Sequence, residues 1–354
     1  MAPLLVAGAP LLLVVDDTLF RRRGKKIHGV GWFHDGAALG TTKLGHGNNG
    51  VVVAIVVTVP LLSRPVALPV LAALAAKSGG SKPDLARDLV DLLAERCADR
   101  EIDIVADAAY GCGAFIGLGE GMTMTTRARA NSVFSQLPPP RTGKRGRPRL
   151  NGERIGTPAD IASSATWKTV SVSRYGLTST VQITDVSCLW YGTWRTDTVR
   201  VVLVRETGKK TTATKGYDIA LVTTDLTAPP QEIIARYAAR WSIEVTFFDV
   251  KNILGVGQAR NRVPTAVERT VPFGLFCHSI LITWYALHGH DRTDTAQRRA
   301  SAPWYSSKTE PSTLDMLVKL RRQIITARFL PTTPRPATTQ EILEVQQAWA
   351  LAAA

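Results

Sequence analysis

The sequence predicts an α/β layered domain, and three observations carry that prediction. Apolar, β-branched runs at 10–15, 51–59 and 64–71 (PLLLVV, VVVAIVVTV, RPVALPVL) precede a helical segment and a fourth buried strand, IDIVADAAY, at 102–110. A middle stretch, 128–217, alternates polar and apolar residues as half-exposed antiparallel strands do. After a return to a buried strand at 218–225 (DIALVTTD), the remainder reads as helices, opening with a long amphipathic one.

Taken in order, PDLARDLVDLLAERC (83–97) has apolar residues at helical spacing with Pro83 at its start. MTMTTR (122–127) is a shorter strand. PPPRTGKRGRPRLNG (138–152) is a Pro/Gly/basic loop with five Arg or Lys between 141 and 149. TVSVSRYG, TSTVQITDV and DTVRVVLVRE follow as the alternating strands, and APPQEI begins the amphipathic helix. Segments 266–288 and 312–328 are helical, and TTQEILEVQQAWALAAA is a last helix or a frayed end. This divides the chain into a first core part (1–127), a β-rich insertion (128–217), a second core part (218–288) and a C-terminal helical region (289–354).

Hydrophobic residues make up 45% and charged residues 20% of the 354, which is ordinary for a globular protein. The charge balance is not ordinary: 43 Lys+Arg against 29 Asp+Glu gives +14, which favours a polyanionic partner, nucleic acid first and an anionic membrane second. Cys97, Cys112, Cys188 and Cys277 form no C-x-x-C pair, which excludes a zinc ribbon, offers no disulfide framework and suits a reducing cytoplasm. Any metal should therefore be a hard, oxygen-bound one. The run at 51–62 is too short to span a bilayer, and 271–287, with His278 and Ser279, reads as a buried core helix. The start, MAPLLVAGAPLLLVV, lacks a basic flank and reads as a strand rather than a signal peptide.

The amphipathic helix contains YAARWSIEVTFFDVK (237–251). On a helix turning about 100° per residue, Tyr237, Arg240, Glu244 and Lys251 fall within an arc of roughly 60°. Trp241 and Phe248 flank that stripe, and Ala239, Ile243, Phe247 and Val250 form the apolar face beside it. The stripe is either a solvated face with an i,i+4 ion pair or one edge of a site.

Acids upstream favour the site. The first strand ends in VVDDT (14–18), and the strand at 102 ends in Asp107. Carboxylates at the ends of apolar strands are costly to bury unless paired with a cation, although one alone can cap a turn. Asp16 and Asp17 point to opposite faces, and because both faces upstream are apolar, periodicity does not say which enters a shared site. Two aspartates and a glutamate can hold two Mg²⁺ ions about 4 Å apart, the arrangement used for in-line phosphoryl transfer.

VVDDT, VADAAYG (105–111) and Y-x2-R-x3-E-x6-K together resemble the DDE transposases of bacterial insertion sequences, and more narrowly their Y-R-E-K signature group, to which the Tn-five type belongs. The likeness covers roughly residues 10–330, and GVGWFHDG (29–36) and APWYSSK (302–308) add to it more weakly. It implies an RNase H-like core, a mixed sheet flanked by helices, with a β-domain inserted before the last catalytic helix. It also implies Asp17 (the aspartate directly before threonine), Asp107 and Glu244 as catalytic, metal-binding acids, with Asp16 supporting the strand end. Tyr237, Arg240 and Lys251 would contact phosphates at the transposon end, and Trp241 would stack on an unpaired base or belong to the core. The implied cofactor is two Mg²⁺ ions, or Mn²⁺ in their place. The implied partner is double-stranded DNA, at transposon ends and target, held by a homodimer on paired ends in the nucleoid-bearing bacterial cytoplasm.

Two basic segments carry further DNA-binding readings. KRGRPR, with Lys144, Arg145, Arg147 and Arg149, resembles an AT-hook core, which lies in an A·T minor groove; the alternative is a flexible linker. RRRGKK (21–26) is a phosphate-contact segment or an exposed loop. Members of the resembled group carry a helical end-recognition domain before the first acid, and here the acid stands 17 residues from the start, so that domain is expected to be lacking. The resemblance thus predicts an active transposase, with a truncated, inhibitory DNA-binding derivative as the alternative and a metal-dependent nuclease on the same core as a third.

Overall fold

Strand β1 (Leu11–Arg21) organises the molecule. Leu11, Leu13 and Val15 enter one core, while Val14 and Phe20 enter another, so the strand is apolar on both faces as a central strand must be. The computed structural model describes residues 2–36, 38, 41–75, 80–140, 148–206, 215–329 and 338–353. β2 (Gly31–His34) and β3 (Leu44–Val57) follow, and β3 runs antiparallel to β1 with Asp16 opposite Val52 and Asp17 opposite Val51. β4 (Val66–Ala75) pairs with β3 across an irregularity near Pro69, a position that tolerates the missing N–H.

Helix α1 (Lys82–Arg96) starts at a Ser81/Asp84 capping box with Pro83 in its first turn. It carries the chain back so that β5 (Ile102–Ala106) lies parallel to β1, with Val14 beside Val105 and Val15 beside Ala106. β6 (Met122–Arg127) runs parallel to β5.

The β-rich stretch then contributes β7 (Phe134–Ser135), β8 (Arg154–Gly156), α2 (Pro158–Ser164), β9 (Lys168–Arg174), β10 (Leu177–Leu189), α3 (Tyr191–Trp194) and β11 (Thr198–Glu206). β12 (Ile219–Thr223) pairs antiparallel with both β6 and β11, so these strands prolong the core sheet sideways in the order β2-β3-β1-β5-β6-β12-β11-β10-β7-β8. The result is a mixed α/β sheet flanked by helices, the architecture expected of an RNase H-like core.

Helices α4 (Pro230–Ala239) and α5 (Trp241–Asn252) replace the single helix expected across 237–251. At the joint, Arg240 N donates to Tyr237 O and Ile243 N to Arg240 O, both three residues back, and Ser242 Oγ donates to Ala239 O (2.7 Å). That hydroxyl takes a carbonyl from the i−4 ladder, and such an insertion bends a helix. Tyr237 therefore belongs to α4, while Glu244 and Lys251 belong to α5.

Ile243, Phe247 and Val250 of α5 pack on Val14, Phe20 and Val52, a burial worth about 1.5–3 kcal/mol for each large apolar side chain. Helix α6 (Pro264–Trp284) ends in a π-turn, Tyr285–Gly289, and lies on β4. The segment Pro264–Gly289 is long and apolar enough to cross a membrane, but Val271, Leu275, His278, Ser279 and Ile282 are buried inside the protein, as a core helix requires. α7 (Asp294–Ser301), α8 (Thr313–Phe329) and α9 (Thr339–Ala353) complete the chain.

Candidate active site

Alternation along β1 separates its two aspartates. Asp16 shares a face with Val14 and Phe20, the face covered by α5, whereas Asp17 shares a face with Val15, on the side of α1. Asp107 stands one residue beyond β5, and the parallel register Val15–Ala106, continued by one step, sets it beside Asp16. Its carboxylate also accepts from Ala109 N (2.7 Å) and its carbonyl accepts from Thr126 Oγ1 (2.7 Å), so the turn that Asp107 caps also holds its position.

Arg240 joins the strand to the helix. Its Nη1 donates to Asp16 Oδ2 (2.8 Å) and its Nη2 to Glu244 Oε1 (2.8 Å), while the Tyr237 ring lies 5.9 Å from the guanidinium. Burial alone would lower the Arg240 pKa, but Asp16, Tyr237 and Glu244 outweigh it and hold the group above its ordinary value. Burial pushes the Asp16 carboxyl up to about 7; Arg240 opposes the rise and the neighbouring charge of Asp107 adds to it. The Arg240–Glu244 pair is therefore one half of a cation bridge between two acids, not a solvated surface pair. Arg240 thus links Asp16 to Glu244, and Asp107 stands beside Asp16 on the neighbouring strand.

Asp17 is engaged elsewhere. Lys82 Nζ (2.6 Å) and Asn49 Nδ2 (2.8 Å) donate to its Oδ2, and the Tyr110 hydroxyl donates to its Oδ1 (3.1 Å). Burial raises the Tyr110 pKa and the charges of Asp17 and Asp16 raise it further, so the hydroxyl stays protonated as a donor. The acid assigned by the aspartate-threonine resemblance thus lies on the opposite face from Glu244, and its neighbour takes the position beside Asp107. The reason is strand alternation: adjacent residues cannot both face α5.

Lys251 donates to Thr18 Oγ1 (2.6 Å) and lies 5.3 Å from the centre of the Phe20 ring, on the Asp16 face of β1. Burial lowers its pKa. Trp241 is half exposed at the start of α5, and Arg149 is exposed in its loop. Lys144, Arg145 and Arg147 lie outside the described residues.

Asp16, Asp107 and Glu244 offer carboxylate oxygens, the hard donors Mg²⁺ prefers. Among the described residues no three His, Cys, Asp or Glu side chains stand close enough together to hold a metal ion as they are placed here. Arg240 supplies the positive charge between Asp16 and Glu244 in this structure. Sequence reasoning missed Lys82, Asn49 and the partnership of Tyr110 with Asp17. Only Tyr110 carried a signal, as part of VADAAYG.

A family model described as DDE superfamily endonuclease matches residues 1–193, more than half of the 354. The match contains Asp16, Asp17 and Asp107 and ends before Glu244. No curated protein matches the chain at a significant level.

Proposed function

The chain belongs to the DDE superfamily endonucleases, and from that premise we propose that it is a bacterial insertion-sequence transposase of the Y-R-E-K group, with Asp16, Asp107 and Glu244 as its acids. DNA is the substrate class of that superfamily, whose enzymes use divalent metal ions. The observation that carries the reading is the Arg240 bridge, which draws a strand-end aspartate and a helix glutamate together beside a second strand-end aspartate.

Bound between those carboxylates, two Mg²⁺ ions would supply an activated water and charge for the phosphoryl oxygens. Asp16, Asp107 and Glu244 would hold those ions. Arg240, released from the two carboxylates it now bridges, is available to a phosphate oxygen, and Tyr237 keeps its guanidinium oriented. Water oxygen joins phosphorus, the bond from phosphorus to the 3′ oxygen breaks, and the freed 3′-OH becomes the nucleophile for strand transfer. In this group the same hydroxyl can close a hairpin on the flanking strand. Asp17, held by Lys82, Asn49 and Tyr110, fixes the strand end from behind. Two copies acting on paired ends complete the proposal.

The test uses the full chain, Mg²⁺ and a duplex carrying the inverted repeats that flank the gene. Nicking at the repeat followed by joining of the 3′ end supports a transposase, and Glu244→Gln should abolish both steps. Nicking that persists in Glu244→Gln overturns the acid assignment. Nicking at random positions with no joining overturns the transposase reading in favour of a nuclease.

A further inference from the structure

The far end of β1 carries cations that the acid site does not use. Arg21 pairs with Asp35 (2.7 Å). Arg22 is half-buried and sends Nη1 to the Gly257 carbonyl (2.8 Å), 235 positions away in sequence. The loop continues with Arg23, Lys25 and Lys26, all exposed. A second basic segment arrives at the same place: His28 N donates to the Arg262 carbonyl (3.0 Å), and Arg260 and Arg262 are exposed beside it. Burial, and then repulsion from Arg260, hold the Arg22 guanidinium below its ordinary pKa.

Like charges brought together from two distant segments work against folding, so something other than packing must account for them. Glu268 faces this corner, but it is engaged by His28 (3.1 Å). Among the described residues no ion pair joins Arg23, Lys25, Lys26, Arg260 or Arg262 to a carboxylate. The segments are fixed in place: His46 Nδ1 donates to the Arg22 carbonyl (2.7 Å) and Asn48 Nδ2 to the His28 carbonyl (2.9 Å).

The position of the cluster relative to the acids gives it direction. Lys251, on Thr18, lies between Arg240 at the acids and Arg22 at the strand end. Six residues of strand from Asp16 to Arg22 span about 20 Å, and that length matches roughly six base pairs of duplex axis. We propose that the loops 21–28 and 259–263 form one phosphate-binding surface, made by Arg22, Arg23, Lys25, Lys26, Arg260 and Arg262, that grips the backbone of the duplex arm leaving the acid site along β1. Arg and Lys contacts to phosphates fix orientation and carry no base information, so this grip is independent of base sequence. This surface rests on the DNA-processing reading above and specifies which way the substrate lies.

The experiment measures binding of the full chain to a mixed-sequence duplex of about 30 base pairs, by fluorescence anisotropy in EDTA, from about 50 to 200 mM salt. Two variants are compared with wild type: Arg23→Gln/Lys25→Gln/Lys26→Gln, and Arg260→Gln/Arg262→Gln. A charge-matched control, Arg96→Gln/Arg154→Gln/Lys168→Gln, removes exposed cations elsewhere. Taking one cation away from a phosphate should reduce the slope of log K against log salt by about 0.9. The first variant should drop by about two to three units of slope and at least tenfold in affinity, equally on unrelated duplexes; the second should drop by one to two units. The control should keep the wild-type slope. Wild-type slopes in both variants, or equal reductions in the control, overturn the surface. Because no cleavage is needed, a chain that binds this way yet never nicks removes the transposase reading alone. A chain that nicks while both variants keep the wild-type slope removes the surface alone.

Discussion

Lys82 Nζ stands 2.6 Å from Asp17 Oδ2, on the side of the sheet away from Glu244. Lys82 is the first residue of α1, where the helix dipole disfavours a cation, and Asp17 compensates it there. Asp17→Asn should therefore act on the fold more than on the chemistry. It should cost about 1–3 kcal/mol of stability, since Lys82 is only partly exposed and is left without its counter-charge. Lys82→Met added to Asp17→Asn should restore much of that stability. Asp16→Asn should instead remove metal-dependent nicking by three orders of magnitude or more while the protein stays folded. Thermal melts and nicking rates measured side by side decide it: an Asp17→Asn protein that melts like wild type but never cuts returns the catalytic role to Asp17.

The Asp16 carboxyl makes a pH prediction whose sign is opposite to that of an ordinary paired acid. Its folded pKa is raised from 3.8 to about 7, so between those values the folded state binds more protons than the unfolded state. Stability in EDTA should accordingly fall as pH rises from about 4 to about 7 and level off above that. At about 1.4 kcal/mol per unit, the full effect is at most about 4 kcal/mol, shared with the charges of Arg240 and Asp107. Asp16→Asn has no proton to lose, so its melting temperature should exceed that of wild type at pH 8 and the difference should shrink by pH 5. A constant difference across that range would show that Asp16 does not titrate there.

Arg240 separates metal affinity from catalysis. Its guanidinium neutralises Asp16 and Glu244, so it competes with a divalent ion for the same carboxylates. Arg240→Gln should be less stable in EDTA by about 3 kcal/mol, because two carboxylates, one well buried, are left without their counter-charge. Added Mg²⁺ should recover more stability in this variant than in wild type, with half-saturation at a lower concentration. Nicking should nevertheless fall by about a hundredfold, because one charged donor to the reacting phosphate is gone. Equal Mg²⁺ responses in both proteins would mean that the ions bind away from the Arg240 bridge.

What could be read in advance, and what could not, follows from the range of the interactions involved. The strands expected at 51–59, 102–110 and 122–127 and the helix at 83–97 were legible because local apolar patterns specify them, although the strand at 102 ends at Ala106, where Asp107 caps a turn. The buried face of α5 was legible, because the spacing of Ile243, Phe247 and Val250 put them on one side of a helix. The choice between Asp16 and Asp17 was not, because β1 is apolar on both faces and gives no phase. The bend at Arg240 depends on one hydroxyl, Ser242, reaching a carbonyl three residues back, which leaves no periodic trace. The joining of β12 to both β6 and β11, which makes the β-rich strands an extension of the core sheet, is a pairing between distant edges that no local window contains.

Lys251 offers a test of the stripe that does not disturb the acids. Its Nζ donates to Thr18 Oγ1 and stands 5.3 Å from the centre of the Phe20 ring, and burial already weakens its hold on a proton. Lys251→Met keeps the apolar stem and removes the charge, and because Thr18 is buried and loses its partner the fold should lose about 1–2 kcal/mol. If the ammonium touches DNA, the salt dependence of duplex binding should drop by about one phosphate's worth of slope, roughly 0.9, and nicking at saturating protein should fall by about tenfold. Lys251→Arg should keep the slope but place its larger head away from Thr18, so affinity survives better than rate. A Lys251→Met chain with wild-type slope and wild-type rate would confine this lysine to holding β1 against α5, and the stripe would then end at Glu244.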